Sequence, residues 1–562
     1  MAEGVNRRQL FGAVAAIGIG SGAFQRALAA QAEPEVKTEP LKAITKEMIQ
    51  NAEWIAGITL TDDERKRIAR TLTADLPALN AARKAELPNS TPFALHFVPS
   101  AEPASNERGQ ATFSPIEANK PANDDDLAFA GIPTLAGLLR SKQISSVELT
   151  KFYLTRLKKY DPALLCVVTL TEELALKQAK TADDALAKGK PKSLLHGIPW
   201  GAKDLIAYPG YPTTWGAEHF KEQTFTEKAT VAQKLDDAGA VLIAKLTLGS
   251  LALGDRWFGG RTRNPWNVKL GSSGSSAGSA AAVSAGCVPF AIGSETLGSI
   301  VSPSRQCGVT GLRPTYGRVA RTGCMTLSWS MDKLGPITRS AHDAAIVFDA
   351  IHGADGHDFS TSTRPFDWPA AKKPKEYTVG FFEEIQREPY LEACKMLKEK
   401  GVKLVPIKLP NPDWLGSLKV ILDVESAAAF DPQTRAGIRE GLGLWPIMFR
   451  EAQFISAVEY INANRLRSKL MAEMAKLMKT VDAYIGGNDL FITNMTGHPS
   501  ICVPSGFNKI AGAEQPQAIT FTGQLHGESD LLTIAQVYQE GTKHHEKRPP
   551  LERATKANAE GK

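Results

Sequence analysis

The signature motifs of several common enzyme classes are missing from this chain of 562 residues. It contains no GxxxxGK[ST] loop, no GxGxxG loop and no HExxH sequence, which mark phosphate loops, dinucleotide-binding folds and zinc proteases. Its six cysteines form no CxxC pair, and no histidines stand beside them at the spacing of metal ligands. We therefore expect neither a metal nor an organic cofactor.

The chain also has little excess charge of one sign. Its formal net charge is +6, and the first 30 residues account for +2 of this, which leaves +4 for the remainder. So mild and scattered a charge argues against a nucleic-acid partner. With 43% hydrophobic and 22% charged residues, the composition is that of a soluble globular protein. No internal repeat is apparent.

A hydrophobic run long enough to span a membrane is absent as well, and the N-terminus has only a short one. The apolar stretch 12–24 is too short and too rich in glycine for a stable transmembrane helix. It follows Arg7 and Arg8 in the sequence NRRQLF and precedes the small residues Ala27–Ala29. We interpret residues 1–30 as a twin-arginine signal peptide and predict a periplasmic or secreted protein without stable membrane insertion. An ordinary amphipathic N-terminus is the alternative.

Most of the six cysteines stand in apolar runs, such as those at 165–168 and 501–503. Buried cysteines usually behave as small hydrophobic residues. We therefore expect most of them to be free thiols. Folding in a reducing compartment before export would agree with this.

Residues 31–126 have a character of their own and are predicted to form an N-terminal helical extension and linker. The stretch 44–58 is helix-like, Thr61–Glu64 is a capping box, and 98–126 is a polar, proline-containing connector. This extension could cover a substrate entrance or mediate contacts in a homodimer.

The remaining residues, 127–562, alternate short apolar strands with amphipathic helices, which predicts an α/β domain built around one large sheet. The predicted strands include 241–244, 288–292, 377–381, 402–405, 483–485 and 500–503. The predicted helices include 230–238, 341–350, 389–400, 451–479 and 530–540.

Two serine-bearing glycine loops carry the strongest chemical information. The first is Gly271–Ser279 (GSSGSSAGS) and the second is Gly293–Ser299 (GSETLGS). Upstream of both, Lys203 stands in the sequence GIPWGAKD. Small residues allow the backbone to approach a ligand closely, and their N–H groups can converge on one point. A hydroxyl among such groups is what acyl transfer requires.

The first loop also matches G-x-S-x-G at 274–278, the nucleophile elbow that would make Ser276 a nucleophile. An elbow directly follows a strand, whereas the preceding residues 264–270 (NPWNVKL) are rich in turn formers. We therefore favour an interpretation that uses both loops and the lysine. A lysine can accept the proton of a serine only when it is neutral, and burial can lower its pKa far enough. Asp204 opposes this unless its side chain points elsewhere.

The motifs in their order resemble those of the amidase signature family, serine hydrolases with a Ser–cis-Ser–Lys triad. The resemblance runs from about 132 to 550. It rests on LHGIP before Lys203, on the two serine loops, and on further matches at 264–267 (NPWN), 307–315 (CGVTGLRPT), 335–339 (GPITR) and 497–500 (GHPS). The resemblance implies a single large mixed sheet with helices on both faces.

The resemblance also implies a role for individual residues. Lys203 corresponds to the base, Ser275 to the bridging serine after a cis peptide bond, and Ser299 to the nucleophile. The backbone N–H groups of Thr296, Leu297 and Gly298, with that of Ser299, would form the oxyanion hole. Ser276 is then a loop-shaping serine, Cys307 a structural cysteine, and Asp332 a structural carboxylate.

Some positions depart from the family pattern. Leu297 replaces a glycine that is usual two residues before the nucleophile, and Val301 replaces an arginine that is common two residues after it. After Lys245, the polar run of the tRNA-dependent amidotransferases is replaced by 246–251 (LTLGSL). We predict an exported amidase that acts on a small-molecule amide. The A subunit of a glutaminyl-tRNA amidotransferase and a non-catalytic binding protein on the same scaffold are the alternatives, and a serine-directed fluorophosphonate probe would separate the last from the others.

Overall fold

The centre of the molecule is a large mixed β-sheet. The computed structural model describes residues 43–85, 107–487, 489–510 and 512–552, so the predicted signal segment 1–30 lies outside the described residues. In chain order, the strands of the large sheet are β1 (Val167–Leu170), β2 (Pro199–Lys203), β3 (Val241–Leu246), β4 (Phe290–Glu295), β5 (Thr310–Arg313), β6 (Lys333–Thr338), β7 (Thr378–Phe381), β8 (Lys403–Pro406), β9 (Ala483–Ile485), β10 (Ser500–Ile510) and β11 (Ala513–Gly523).

These 11 described strands lie in the order β1-β3-β2-β4-β6-β5-β10-β11-β9-β7-β8. Strands β2, β3 and β4 are parallel to each other, as are β7, β8 and β9, whereas the remaining pairs are antiparallel. Two short hairpins lie outside this sheet, Arg256–Trp257 with Gly260–Arg261 and Arg263–Asn264 with Asn267–Gly271. The predicted large mixed sheet is therefore confirmed.

Helices surround the sheet. They are α1 (Lys46–Ala56), α2 (Asp62–Lys84), α3 (Asp124–Ala128), α4 (Ile132–Arg140), α5 (Ser146–Leu164), α6 (Glu172–Ala187), α7 (Thr230–Asp237), α8 (Ala277–Ser284), α9 (Val301–Cys307), α10 (Ala341–Ile351), α11 (Glu388–Glu399), α12 (Lys419–Ala429), α13 (Asp431–Arg435), α14 (Trp445–Ala452), α15 (Ala457–Met478), α16 (Leu490–Thr496) and α17 (Glu528–Thr542). The single helix predicted over 451–479 is wrong at its start. Ser456 caps a new helix by accepting a hydrogen bond from the Glu459 N–H, so α14 and α15 are separate.

The three parallel strands β2, β3 and β4 bring chemically important residues to one edge of the sheet. Their last residues are Lys203, Leu246 and Glu295, and Lys203 is directly opposite Leu246 in the register. All residues of these three strands are buried. Because the carboxyl ends of parallel strands meet at the same edge, the lysine and the second serine loop start from neighbouring points.

Helices α12, α14 and α15 pack together in a helical layer. Helix α2 of the N-terminal extension packs against α14 and α15 of this layer, and α1 packs against α2. Helix α2 begins with the predicted capping box at Thr61 and buries Ile68 and Leu76. The Thr71 hydroxyl donates to the Glu451 carboxylate at 3.0 Å. Within the described residues, none of the helices combines the length and the apolar character needed to cross a membrane.

Candidate active site

Lys203 is the last residue of β2, and its ammonium group is surrounded by serine hydroxyls. The Nζ atom lies 2.7 Å from Ser275 Oγ, 2.8 Å from Ser294 Oγ and 3.1 Å from Ser276 Oγ. The side chain is completely buried. Burial lowers the pKa of Lys203 to about 7, although the negative charges of Asp332 and Glu295 act in the opposite direction. A large fraction of the amine is therefore neutral near pH 7.

Asp204, the neighbour of this lysine, does point elsewhere. Its carboxylate forms a fully buried ion pair with Lys245 at 2.7 Å and accepts a hydrogen bond from the Thr214 N–H at 2.9 Å. The negative charge next to Lys203 is thus compensated by a second lysine. This removes the objection that Asp204 would keep Lys203 protonated.

The first serine loop places the Ser275 hydroxyl next to Lys203 Nζ. The peptide bond between Gly274 and Ser275 is cis, as the family resemblance implies. Gly274 packs so closely against the chain that a Cβ atom there would lie 1.9 Å from the carbonyl oxygen of Gly254, which only a glycine permits. The Ser275 side chain is fully buried. The loop therefore holds this hydroxyl in one place against Lys203 Nζ.

Ser276 links the two serine loops. Its hydroxyl donates to the Ser294 carbonyl and accepts from the Ser294 N–H, each at 3.1 Å. Its backbone N–H donates to the Ser299 carbonyl, also at 3.1 Å. These bonds agree with a loop-shaping role for Ser276. They also bring Ser299, the predicted nucleophile, beside the loop that carries Ser275.

The second loop is closed by Glu295, a residue whose importance the motifs alone did not reveal. One carboxylate oxygen accepts hydrogen bonds from the N–H groups of Ile300 (2.8 Å) and Val301 (3.0 Å). The other accepts from Arg313 at 2.8 Å and from the Asn494 side chain at 2.9 Å. Burial alone would raise the pKa of Glu295, but the charges of Arg313 and Lys333 and these hydrogen bonds lower it to about 2. A carboxylate that is ionised at neutral pH thus joins the two ends of the loop.

Between these ends lie the four residues of the predicted oxyanion hole and nucleophile. Within the described residues, the backbone N–H groups of 296–299 donate no hydrogen bond to another protein group. Gly298 has a φ of +96°, and a Cβ atom there would lie 3.0 Å from Ser302 Oγ. Leu297 is half-buried and packs against the hydrophobic core. Ser299 is half-buried and lies in the turn that precedes α9.

Two neighbouring side chains, those of Asp332 and Lys333, contact Thr296. The Thr296 hydroxyl donates to Asp332 Oδ1 at 2.6 Å, and Lys333 Nζ lies 3.4 Å from the Thr296 carbonyl oxygen. The other oxygen of Asp332 accepts from the N–H groups of Leu327 (2.8 Å) and Ser328 (3.0 Å). Asp332 is therefore a fully bonded structural carboxylate that fixes one member of the loop.

The positions that depart from the family pattern are all accommodated by packing. Val301 is fully buried in a small apolar cluster with Cys502 and Ala518. The leucines of the run after Lys245 at 246, 248 and 251 are fully buried too.

All six cysteines are free, four of them buried and Cys324 and Cys394 partly exposed. Within the described residues, no group of histidine, cysteine, aspartate and glutamate side chains has the arrangement of a metal site.

The chain is similar to known proteins in both sequence and structure. The family model described as Amidase matches residues 148–487, more than half of the chain. The A subunit of glutamyl-tRNA(Gln) amidotransferase from Marinomonas sp. (strain MWYL1) is 31% identical over 75% of this chain and 98% of its own length. The corresponding protein of Coxiella burnetii (strain RSA 493 / Nine Mile phase I) is 32% identical over 74% of this chain and 97% of its own.

Among solved structures, the native peptide amidase from Stenotrophomonas maltophilia superposes with a TM-score of 0.66 and 29% identity. The match covers 75% of this chain and 98% of that one. Sequence, fold and site geometry agree, and the chain belongs to the amidase signature family, whose enzymes act on carbon–nitrogen amide bonds.

Proposed function

We propose that this protein is an exported serine amidohydrolase that cleaves a carboxamide bond through an acyl-enzyme on Ser299, with Ser275 and Lys203 as its proton relay. The observation that carries the proposal is the 2.7 Å contact between Lys203 Nζ and Ser275 Oγ in a fully buried setting. Within the described residues, no carboxylate forms an ion pair with this lysine. It is therefore suited to act as a neutral base.

The reaction begins with proton transfer and acylation. Neutral Lys203 accepts the Ser275 proton while the Ser275 oxygen takes the proton of Ser299, and Ser299 Oγ attacks the amide carbonyl carbon. The carbonyl oxygen becomes an oxyanion that the N–H groups of residues 296–299 stabilise. When the carbon–nitrogen bond breaks, the relay returns its proton to the leaving nitrogen. An amine departs and Ser299 carries an ester.

Deacylation uses the same base, relay and oxyanion hole, with water as the attacking group. Lys203 and Ser275 now take a proton from a water molecule, whose oxygen attacks the ester carbonyl carbon. The oxyanion forms again at the 296–299 loop, the bond to Ser299 Oγ breaks, and the serine recovers its proton from the relay. The carboxylic acid leaves. Metal and organic cofactors take no part in this scheme.

The proposal is tested with purified protein and a panel of amides and esters. Ser299→Ala and Lys203→Ala are expected to lower kcat by about 10³-fold or more, because either removes a member of the catalytic relay. A fluorophosphonate should label the unmodified protein at Ser299. Ser468→Ala is a matched control. This half-buried hydroxyl donates a hydrogen bond at 3.3 Å to the Asn464 carbonyl of its own helix. Full amide hydrolysis by Ser299→Ala would refute the proposal.

A second candidate is a component of a tRNA-dependent amidotransferase, which the identity of 31–32% to the glutamyl-tRNA(Gln) amidotransferase relatives favours. Such a protein would release ammonia from glutamine only with its partner subunits and a charged tRNA. The buried leucines at 246, 248 and 251 argue against it, because the polar run of those enzymes is lost there. Glutamine hydrolysis that appears only on addition of partner subunits would support this candidate, and activity of the isolated chain on simple amides would exclude it.

The export part of the proposal rests on the sequence of residues 1–30. Cell fractionation should find the protein in the periplasm or the medium, with an N-terminus shortened near Ala29. Changing both Arg7 and Arg8 to lysine should leave the full-length protein in the cytoplasm, while the same change at the downstream Arg26 serves as the control. A cytoplasmic, uncleaved protein in unmodified cells would refute export without affecting the proposed chemistry.

A further inference from the structure

A buried glutamate from the helical layer, far from the serine loops in sequence, reaches the surroundings of the site. Glu425 lies on α12, and only 4% of it is exposed. Its carboxylate accepts four hydrogen bonds. They come from Ser328 Oγ (2.6 Å), the Ser330 N–H (2.9 Å), Ser330 Oγ (2.7 Å) and the Tyr460 hydroxyl (2.9 Å). Three of the four therefore fix the segment 327–332, which we call the bracing loop.

The bracing loop is held from other directions as well. Arg467 donates to the Ser330 hydroxyl and to the Ser330 carbonyl, both at 2.8 Å. The Trp329 carbonyl accepts from the Tyr316 hydroxyl at 2.7 Å and from Arg321 at 2.8 Å. The Ser330 hydroxyl thus bridges the Glu425 carboxylate and the Arg467 guanidinium. Because fully bonded polar networks are rigid, we expect these bonds to hold the bracing loop in place.

The far end of the bracing loop is bonded to residues 296–299, which we call the oxyanion loop. Asp332 binds the N–H groups of Leu327 and Ser328 with one oxygen and the Thr296 hydroxyl with the other. Ser328 therefore connects the two carboxylates, because its hydroxyl donates to Glu425 while its N–H donates to Asp332. A continuous chain of hydrogen bonds runs from α12 to Thr296.

We propose that Glu425 is a positioning residue for the oxyanion loop, which acts through the bracing loop and Asp332 on Thr296. The inference rests on the proposed function, since it assumes that the N–H groups of 296–299 stabilise the transition state. Such groups contribute only when they are aimed in advance at the developing charge, and a small misplacement is costly. Glu425 would then affect the rate of the chemical step more than substrate binding.

The test compares Glu425→Ala and Glu425→Gln with Asp423→Asn. Asp423 is on the same helix and pairs with Lys419 at 2.6 Å, so its substitution controls for a charge change on α12. We expect Glu425→Ala to lower kcat about 10- to 100-fold with KM changed less than about twofold. Glu425→Gln keeps one acceptor oxygen and should lie between Glu425→Ala and the unmodified enzyme. Asp423→Asn should stay within about twofold of the unmodified enzyme.

A transition-state mimic supplies a readout that a purely structural role would not move. The affinity of a trifluoromethyl ketone analogue, which forms a tetrahedral oxyanion on a serine, should fall in Glu425→Ala by the same factor as kcat/KM. Adding Asp332→Asn to Glu425→Ala should lower kcat no further than the more damaging single change, because both act through one chain of bonds. Multiplied effects, or an unchanged affinity for the ketone, would refute the positioning role.

Ser299→Ala, measured alongside, separates the two proposals. If it is inactive while Glu425→Ala keeps its full kcat, only the positioning role is wrong, whereas an active Ser299→Ala overturns the proposed function itself. If Glu425→Ala does not fold, Ser328→Ala replaces it, since this change removes one of the four bonds to Glu425. A lower kcat with unchanged KM is expected there too, and an unchanged kcat contradicts the proposal.

Discussion

Lys203 Nζ lies 2.7 Å from the hydroxyl oxygen of Ser275, and both side chains are completely buried. The lysine reaches this position at the end of β2, and the serine reaches it from a loop more than 70 residues later in the chain. Burial without a paired carboxylate lowers the pKa of the lysine to about 7. The protonation state of one amine should therefore govern activity near neutral pH.

The first prediction concerns the pH dependence of amide hydrolysis. Because the neutral amine is the active form, kcat/KM should rise with pH through an apparent pKa of about 7 and level off above it. Lys203→Arg should lose about 10³-fold or more at every pH, since a guanidinium does not become neutral. The measurement is a pH profile of kcat/KM on one amide. An unchanged acid limb in an active Lys203→Arg variant would assign that limb to another group.

The second prediction concerns stability. The pKa of Lys203 is lower in the folded protein than in the unfolded chain, so the unfolded state binds more protons between pH 7 and about 10.5. Over this range Lys203 should add about 1.4 kcal/mol to the free energy of unfolding for each pH unit. Below pH 7 it should add no pH dependence.

Lys203→Met provides the comparison, because it keeps the length of the side chain and removes the titrating group. Urea unfolding of both proteins at several pH values should show their difference in unfolding free energy changing between pH 7 and 10. The unmodified protein gains relative to the variant as the pH rises. Parallel curves across this range would show that Lys203 keeps an ordinary pKa in the folded protein.

The third prediction concerns Glu295. Glu295→Gln removes the charge that faces buried Arg313, and a buried ion without its partner costs about 3–5 kcal/mol. The pKa of Glu295 is lowered to about 2 by Arg313 and Lys333 despite burial, so its contribution should be complete above about pH 4.5 and disappear as the pH falls toward 2. The variant should therefore lose most stability at neutral pH.

Asp184→Asn is the matched control for this change. It breaks the ion pair with Lys180, in which both side chains are more than half exposed, and such pairs contribute less than about 1 kcal/mol. Denaturant unfolding at pH 7 measures both variants. Equal losses in the two would mean that Glu295 does not hold the loop by its charge.

The fourth prediction separates two neighbouring positions of the oxyanion loop. Gly298→Ala places a Cβ atom on a residue with φ +96° and 3.0 Å from Ser302 Oγ, so the loop must shift and kcat should fall about 10- to 100-fold. Leu297→Gly should keep kcat within a few-fold, because its side chain contacts the core while its N–H group stays in place. The variant should lose about 1–2 kcal/mol of stability.

Steady-state kinetics and thermal unfolding of the two variants test this contrast. The expected result is a kinetic defect with Gly298→Ala and a stability defect with Leu297→Gly. If Leu297→Gly lowers kcat as strongly as Gly298→Ala, the leucine side chain also positions the loop.

Much of the fold follows from the sequence because its signals are local. The apolar runs at 241–244 and 483–485 are short and bounded by turn residues, and both are strands. Strand β2 is not among the predicted strands. Its sequence PWGAK contains a proline, a glycine and a lysine, and it forms a strand because its neighbours β3 and β4 provide hydrogen bonds on both sides.

Some residues of the site can likewise be identified from the sequence and others cannot. Lys203, Ser275 and Ser299 stand in motifs, so the sequence identifies them, although their proposed roles await the experiments above. Glu425 is different, because it is 97 residues from Ser328 and no local pattern marks it. Contacts of this kind depend on how α12 packs against the rest of the chain. A single sequence contains no signal for them.

The carboxylate of Glu295 fastens both ends of the 296–299 loop, and this has a consequence for how such an enzyme can diverge. The groups proposed for chemistry are backbone amides, whose positions depend on the fastened ends and on the bond between Thr296 and Asp332, but not on the side chain of Leu297. Leu297, which stands where a glycine is usual, already illustrates the freedom this allows. Selection or directed evolution can therefore vary the side chain at 297 while the reaction itself is inherited intact.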